Sequence, residues 1–527
     1  MRSKIDINLL KRISIAVGTF MILAHMYAFT NGPILFDAVG VYRGDASFQV
    51  SSDRWAGGLY WWMDLGVNAP WLAGVWATVL MIVIVYCICD IWGVNTICGI
   101  VFASGLCATH TAVISEQLYT GQNFYILIPL FEAVLSAWII RKSNLHLALK
   151  ALSAIVLIAL SAGTYGAMVS MMPAVLLVAV ILDIINGRSA RENWNNSIQY
   201  VGIFIGGMTL YYCILRILLH VQGGEIQSYM GEDAISSISV VKSMILSIPS
   251  AYANIFRYYA GKSRFLPEIL NKIMIWLMIF GGLEFVLLII LYRNKIQDEI
   301  QNGILLAIAA CISPAVLNLI YIMSLGNVHF LMIFTYSVPL LFFVRVNELM
   351  VERVCEQKTR YTVYLSRILY VFFLYFSVVM SNASYINYQQ MYIETISIGT
   401  RMLDRIETCD GFKGTEKVVI LGAMQDNAYW GTPGEQPAMI LNAFLGSGNP
   451  NNINGINYAS WTRRFLTNVL DSSMEMVSYS TFAECIQEER LSDDEIERFQ
   501  EMAAFPRDGS VEKIGDRIFV KLADNVQ

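Results

Sequence analysis

The residues most able to do chemistry follow the first apolar segment. The chain there reads Phe36-Asp37-Ala38-Val39-Gly40-Val41-Tyr42-Arg43-Gly44-Asp45, then Ser51-Ser52-Asp53-Arg54-Trp55. Asp37 falls at the depth where apolar chain meets water, and a carboxylate there is costly unless it is paired or used. A base that deprotonates a hydroxyl on a lipid-borne substrate needs this placement; a solvated loop aspartate or a helix cap is the plainer alternative. Asp45 and Asp53 lie deeper in polar sequence and are weaker carboxylate candidates for the same work. No Asp-x-Asp occurs in the loop, so a metal–diphosphate site is not indicated. Arg54 can grip a phosphate through two N–H groups at once, or instead pair with Asp53 or Asp45. Arg257, Lys262 and Arg264 are further phosphate candidates, and Tyr252, Tyr258 and Tyr259 offer ring faces on which a sugar could stack. Anionic lipid headgroups would explain the same cations equally well. His110 and Glu116 flank one apolar segment and His329 opens another at the same level. His329 is kept as a substrate contact, although lone histidines are more often structural. Glu132 and Glu284 lie inside apolar segments, where carboxylates are rare, but neither has a partner evident in the sequence and both stay outside the predicted site.

These residues need a scaffold, and composition identifies it. The chain has 527 residues, 56% of them hydrophobic and 15% charged, against roughly 25% charged in soluble domains. Mean hydropathy is +0.52. This is the membrane class. With a net charge of −5, nothing suggests a nucleic-acid partner. A crossing needs about 20 mostly apolar residues, and about eleven segments meet that criterion: 13–31, 71–92, 97–115, 122–140, 148–164, 166–186, 200–220, 272–292, 303–324, 328–346 and 364–382. The first has no small-residue cleavage site and reads as a retained anchor.

Basic residues in short loops mark the cytoplasm. Arg2, Lys4, Lys11 and Arg12 place the N-terminus there. Arg141/Lys142, Arg188/Arg191, Arg293/Lys295 and Arg345–Arg360 fall at every second exit, while the turns Ser115–Gln122 and Leu325–Val328 hold no Lys or Arg. The loops 32–70 and 221–271 and the tail 383–527 then lie on the outer side. Ala56–Val67, with Tyr60, Trp61 and Trp62, is an amphipathic run suited to the interface. The expected organisation is an all-α polytopic domain over 1–382 and a small α/β extracytoplasmic domain over 383–527. In the tail, 388–406 has helical spacing, Lys417–Met424 and Arg517–Leu522 read as buried strands, and Ser492 reads as a helix N-cap. Cys409 and Cys485 could form a disulfide outside the cytoplasm or remain two buried thiols.

Four stretches resemble the type II O-antigen glucosyltransferase family, within the GT-C class of membrane glycosyltransferases. They are the aspartate loop ending in Ser52-Asp53-Arg54-Trp55; Tyr119-Thr-Gly-Gln-Asn123-Phe-Tyr125; Leu160-Ser-Ala-Gly-Thr-Tyr165; and the helical run Tyr388–Ile406. The sequence departs from the family where Ala38 follows Asp37 instead of a second acidic residue, where Asp53 replaces a glycine before Arg54, at Gln122-Asn123 in place of an aspartate, and at Gly166 in place of a glutamine. The resemblance implies a GT-C-like fold and a sugar, typically glucose, carried on a polyprenyl phosphate. It implies transfer on the outer face to a surface polysaccharide, in a bacterial inner membrane. The family base maps to Asp37 and its phosphate-binding arginine to Arg54. Asp53, Trp55, Tyr119, Asn123 and Tyr165 become substrate contacts. No cofactor is implied, and no motif indicates a divalent cation.

Expected partners are the donor lipid, the polysaccharide acceptor, the bilayer, and a sugar-lipid synthase and flippase of the same pathway. Two other classes compete. A polysaccharide polymerase or ligase using a lipid-diphosphate donor would carry more outer arginines. A transporter or flippase would show internal repeats and broken helices near the midplane.

Overall fold

The computed structural model describes residues 5–34, 39, 53–63, 69–119, 125–222, 238–263, 265–292, 299–353, 357–424, 458–524 and 526. Of the expected site, Asp37, Asp45, Asn123 and Arg264 lie outside these residues.

The helices run α1 Ile7–Thr30, α2 Pro70–Trp92, α3 Ile97–Ala108, α4 Thr111–Glu116, α5 Leu127–Lys142, α6 Leu147–Tyr165, α7 Met171–Ile185 and α8 Ala190–Gln222. They continue with α9 Ile238–Arg257, α10 Glu268–Tyr292, α11 Glu299–Leu317, α12 Leu319–Met323, α13 Val338–Arg353 and α14 Gln357–Glu407. The chain is an all-α polytopic membrane protein in this region: among the described residues, eight helical stretches are long and apolar enough to cross a bilayer, the continuous run Leu147–Ile185 counted as one. Large apolar side chains such as Ile198, Val201 and Ile205 on α8, and Trp276 and Leu283 on α10, stand exposed, as expected where lipid is the solvent.

Polar ties gather at one end of the bundle. Arg141 grips Asp183 through both terminal nitrogens, at 2.7 and 3.0 Å. Asp183 also receives Arg188. Arg345 bonds Glu348 and Glu352, and Glu348 receives the Thr96 amide. Glu284, unpartnered in sequence, accepts from Ser366 at 2.6 Å and from Asn347, which makes it an interhelical tie.

At the opposite end the helices break into short pieces. The expected 97–115 segment stops at Ala108, and His110 begins α4 by accepting from the Ala112 amide through Nδ1 at 3.2 Å. Two 3-10 turns, Phe330–Met332 and Phe334–Ser337, precede α13, so the helix starts later than the apolar run at 328 suggests. The continuous run 147–185 breaks at Tyr165, with φ −156° and ψ 96°, and resumes through a 3-10 turn at Gly166–Ser170. A further 3-10 helix occupies Gly57–Met63.

The composition change after Asn382 falls inside the unbroken α14. Beyond it a four-stranded sheet forms, in the order β2 (Met476–Tyr479), β1 (Lys417–Leu421), β4 (Arg517–Lys521), β3 (Val511–Ile514). The β1 strand is parallel to both neighbours, with Val419 opposite Val477 and Phe519, and β3–β4 is antiparallel. Central parallel strands are covered on both faces, which explains the unbroken apolar run in β1. One face packs Val419, Leu421 and Phe519 against helices α15 (Phe482–Glu489) and α16 (Asp493–Glu501). Ser492 caps α16 in a full capping box with Glu495. The other face, with Ile420 and Ile518, joins Met402, Ile406 and Phe465 in the main core.

The expected disulfide is corrected. Cys409 and Cys485 are both free thiols. Cys485 is fully buried among Val419, Phe482 and Phe499 on the helix-covered face of the sheet, whereas Cys409 sits half-buried just past the end of α14.

Candidate functional site

The segment Asp53–Ala56 is seated on the last turn of α6. Asp53 adopts φ +61°, a left-handed conformation that aspartate tolerates better than most residues. Its carboxylate turns to α8 and accepts from the Tyr211 hydroxyl at 3.1 Å. Arg54 turns to α6, its guanidinium carbon 5.1 Å from the centre of the Tyr165 ring, a cation–π stack. Among the described residues no ion pair forms at Arg54; the Asp53 charge acts on it from the neighbouring position.

Trp55 lies flat against Gly163. A Cβ built on Gly163 would come within 2.4 Å of the indole Cε2, so only glycine leaves room. The Ala56 amide then donates to the Gly163 carbonyl at 2.8 Å. Further on, Tyr60 donates to Glu132 of α5, with Thr164 beside its hydroxyl. Gly163, Thr164 and Tyr165 thus hold Trp55, the Tyr60–Glu132 pair and Arg54 in succession. Two stretches about a hundred positions apart, each noted in the sequence, meet here. Glu132, set aside in the sequence reading, is the residue that reading missed. The signal was its rarity inside an apolar helix; the partner was not legible.

Burial pushes the Asp53 carboxyl up to about 6 from 3.8, opposed by the Arg54 charge and the Tyr211 hydrogen bond. Asp53 is then mostly ionised at neutral pH, and its carboxylate is held by Tyr211 of α8.

The other expected residues are dispersed. Tyr119 follows α4, its amide bonded to the Glu116 carbonyl. Glu116 is buried and accepts the Ile126 amide at 2.7 Å, tying together the two ends of the Tyr119–Tyr125 stretch. Arg257 is exposed at the end of α9 and forms no ion pair among the described residues. Tyr258 is buried edge-on to Tyr259 and Tyr336, with ring centres 5.1 and 4.8 Å apart, which is core packing and leaves little ring face for a sugar. The cavity it lines with His110 holds about 20 Å³, far below the few hundred Å³ of a ligand pocket. His329 is exposed at the head of the 3-10 turn Phe330–Met332. Among the described residues no three His, Cys, Asp or Glu side chains come together as a metal site would need.

The sheet region reaches the same end of the bundle. Asn468 donates to the Val39 carbonyl at 3.0 Å, and a Cβ on Gly399 of α14 would meet Leu470, Leu466 and Phe465. The tail therefore meets the first loop at Val39.

No curated protein and no solved structure matches the chain. The family model for glucosyl transferase GtrII matches residues 26–345, more than half the chain and the whole stretch from the first loop through the Gly163–Tyr165 turn. This multi-pass membrane protein therefore belongs to the GtrII glucosyl transferase family and is a glycosyltransferase.

Proposed function

We propose that the enzyme moves a glucosyl unit from a polyprenyl phosphate to a surface polysaccharide such as an O-antigen, at the outer face of a bacterial inner membrane. The observation that carries this reading is the stack of Arg54 on Tyr165 at the end of a long apolar helix. A guanidinium held by an aromatic face, with no ion pair among the described residues, suits a phosphate diester arriving from the lipid. The phosphate is the leaving group, and Arg54 meets the charge that develops on it. Asp37 takes the proton from the attacking acceptor hydroxyl. The C1–O bond to phosphate breaks as the bond to the acceptor oxygen forms, so no cofactor is consumed. The first loop and the tail domain, joined through Asn468 and Val39, would frame the acceptor.

If the eleven apolar segments read from the sequence all cross, with the Arg141, Arg188 and Arg345 end in the cytoplasm, Arg54 and the sheet domain lie outside. The positive-inside bias supports that orientation.

The test is purified protein incubated with a panel of polyprenyl-phosphate sugars, together with Asp37→Asn in cells and surface glycan composition as the readout. Transfer from the glucosyl lipid and loss of surface glucose in Asp37→Asn are expected. An unchanged glycan in a well-expressed Asp37→Asn variant would sink the base assignment. A requirement for a lipid diphosphate would favour the polymerase or ligase reading. Loss of lipid movement across the bilayer, with transfer chemistry intact in detergent, would favour the flippase.

A further inference from the structure

Glu132 is a carboxyl with half its hydrogen-bonding capacity unspent. It is 3% exposed, on an apolar helix. Oε1 takes the Tyr60 hydroxyl, while Oε2 is buried and has no partner among the described residues. The Trp55 indole Nε1 is likewise buried without a partner among them. Both groups are tied to the same turn of α6: Trp55 lies against Gly163, and Glu132 of α5 is joined to it through Tyr60, which sits beside Thr164, with Arg54 over the next residue, Tyr165. A buried polar atom without a partner is disfavoured in a native fold unless something else satisfies it. Here an acceptor and a donor are both left over around the turn that carries the guanidinium.

A sugar hydroxyl both donates and accepts, whereas a carboxylate oxygen accepts and an indole N–H only donates. The two unspent groups are therefore complementary to a polyhydroxy ring. The turn has room next to the guanidinium: a Cβ on Gly166, directly after the Tyr165 on which Arg54 stacks, would meet nothing within 4 Å.

We propose that Glu132 Oε2 and Trp55 Nε1 recognise hydroxyl groups of the neutral hexose carried by the donor, with Tyr60 fixing the carboxyl. This rests on the reading of Arg54 as the donor-phosphate site, because the sugar is bonded to that phosphate and must lie next to it. Glu132 then selects the sugar, and Arg54 holds the part common to every polyprenyl phosphate.

The experiment uses the full chain in lipid nanodiscs and two probes, polyprenyl phosphate without sugar and polyprenyl-phosphate glucose. Dissociation constants are compared for wild type, Glu132→Gln, Trp55→Phe and Arg54→Ala. Glu132→Gln should weaken binding of the glucosyl lipid about tenfold, as for loss of one net hydrogen bond, and leave the sugar-free lipid unchanged. Trp55→Phe keeps the ring, removes the N–H, and should act in the same direction. The proposal is overturned if Glu132→Gln and Trp55→Phe weaken both lipids equally, the mark of a structural role, or weaken neither. Arg54→Ala should weaken both lipids. If it leaves both unchanged, the phosphate reading fails, and that failure is read from the sugar-free probe alone.

Discussion

Replacing Gly163 by alanine adds one methyl group at the point where Trp55 is seated. The new Cβ would lie 2.4 Å from Cε2, 2.7 Å from Cζ2 and 2.8 Å from Nε1 of the indole. Carbon atoms in contact settle at about 3.5–4.0 Å, so the ring must retreat by about 1 Å. It cannot do so alone, because Ala56 is bonded to the Gly163 carbonyl and Arg54 precedes Trp55 directly. Overpacking of this kind costs about 1–3 kcal/mol. A displacement of about 1 Å in a positioning group can cost 10²-fold in rate. Gly163→Ala is therefore expected to fold, to lose a little thermal stability in detergent, and to lose about 10²-fold in glucosyl transfer. The assay is surface glucosylation in cells normalised to membrane protein level. Gly202→Ala is the control, since a Cβ there meets nothing within 4 Å. Wild-type transfer by Gly163→Ala would refute the seating of the loop on α6.

Three further outcomes follow from the same structure. Asp53 is raised to about 6 from 3.8, so the fold favours its neutral form; its contribution to stability is intact below the ordinary value and is lost as pH rises through about 6. Asp53→Asn should remove that slope, on the order of 1 kcal/mol after solvent screening, in unfolding followed from pH 4 to 7, and an unaltered slope would refute it. Glu489, its side chain 4% exposed, holds Lys417, Arg517 and Tyr479 in the sheet domain; Glu489→Gln takes the anion from Lys417 and leaves Arg517 only its pairs with Glu495 and Asp516, and should cost about 2 kcal/mol, seen as faster proteolysis of the tail. With Cys409 and Cys485 free, maleimide should label Cys409 in the native protein and Cys485 only after unfolding, and a reductant-sensitive gel shift lost in Cys409→Ser would contradict this.

Much was legible locally. Membrane class, the apolar segments, the strands Lys417–Leu421 and Arg517–Lys521 and the Ser492 cap depend on runs, periods and short-range bonds that a sequence displays directly. The Ser52–Trp55 and Leu160–Tyr165 stretches were each visible as motifs. Their meeting was not, because contact between residues about a hundred positions apart is decided by how helices pack. The same holds for Glu132, which looked solitary until the 3-10 turn Gly57–Met63 brought Tyr60 to it. Tyr258 looked like a sugar platform and Cys485 like half of a disulfide; packing put each in a core, since residue type alone does not say which face of an element is covered. Sequence by itself determined what each segment is and which residue types are costly in it. Only the tertiary structure decided that one glycine-containing turn of α6 would hold a guanidinium, an indole and a buried carboxyl side by side, because close packing selects neighbours that chain order does not record.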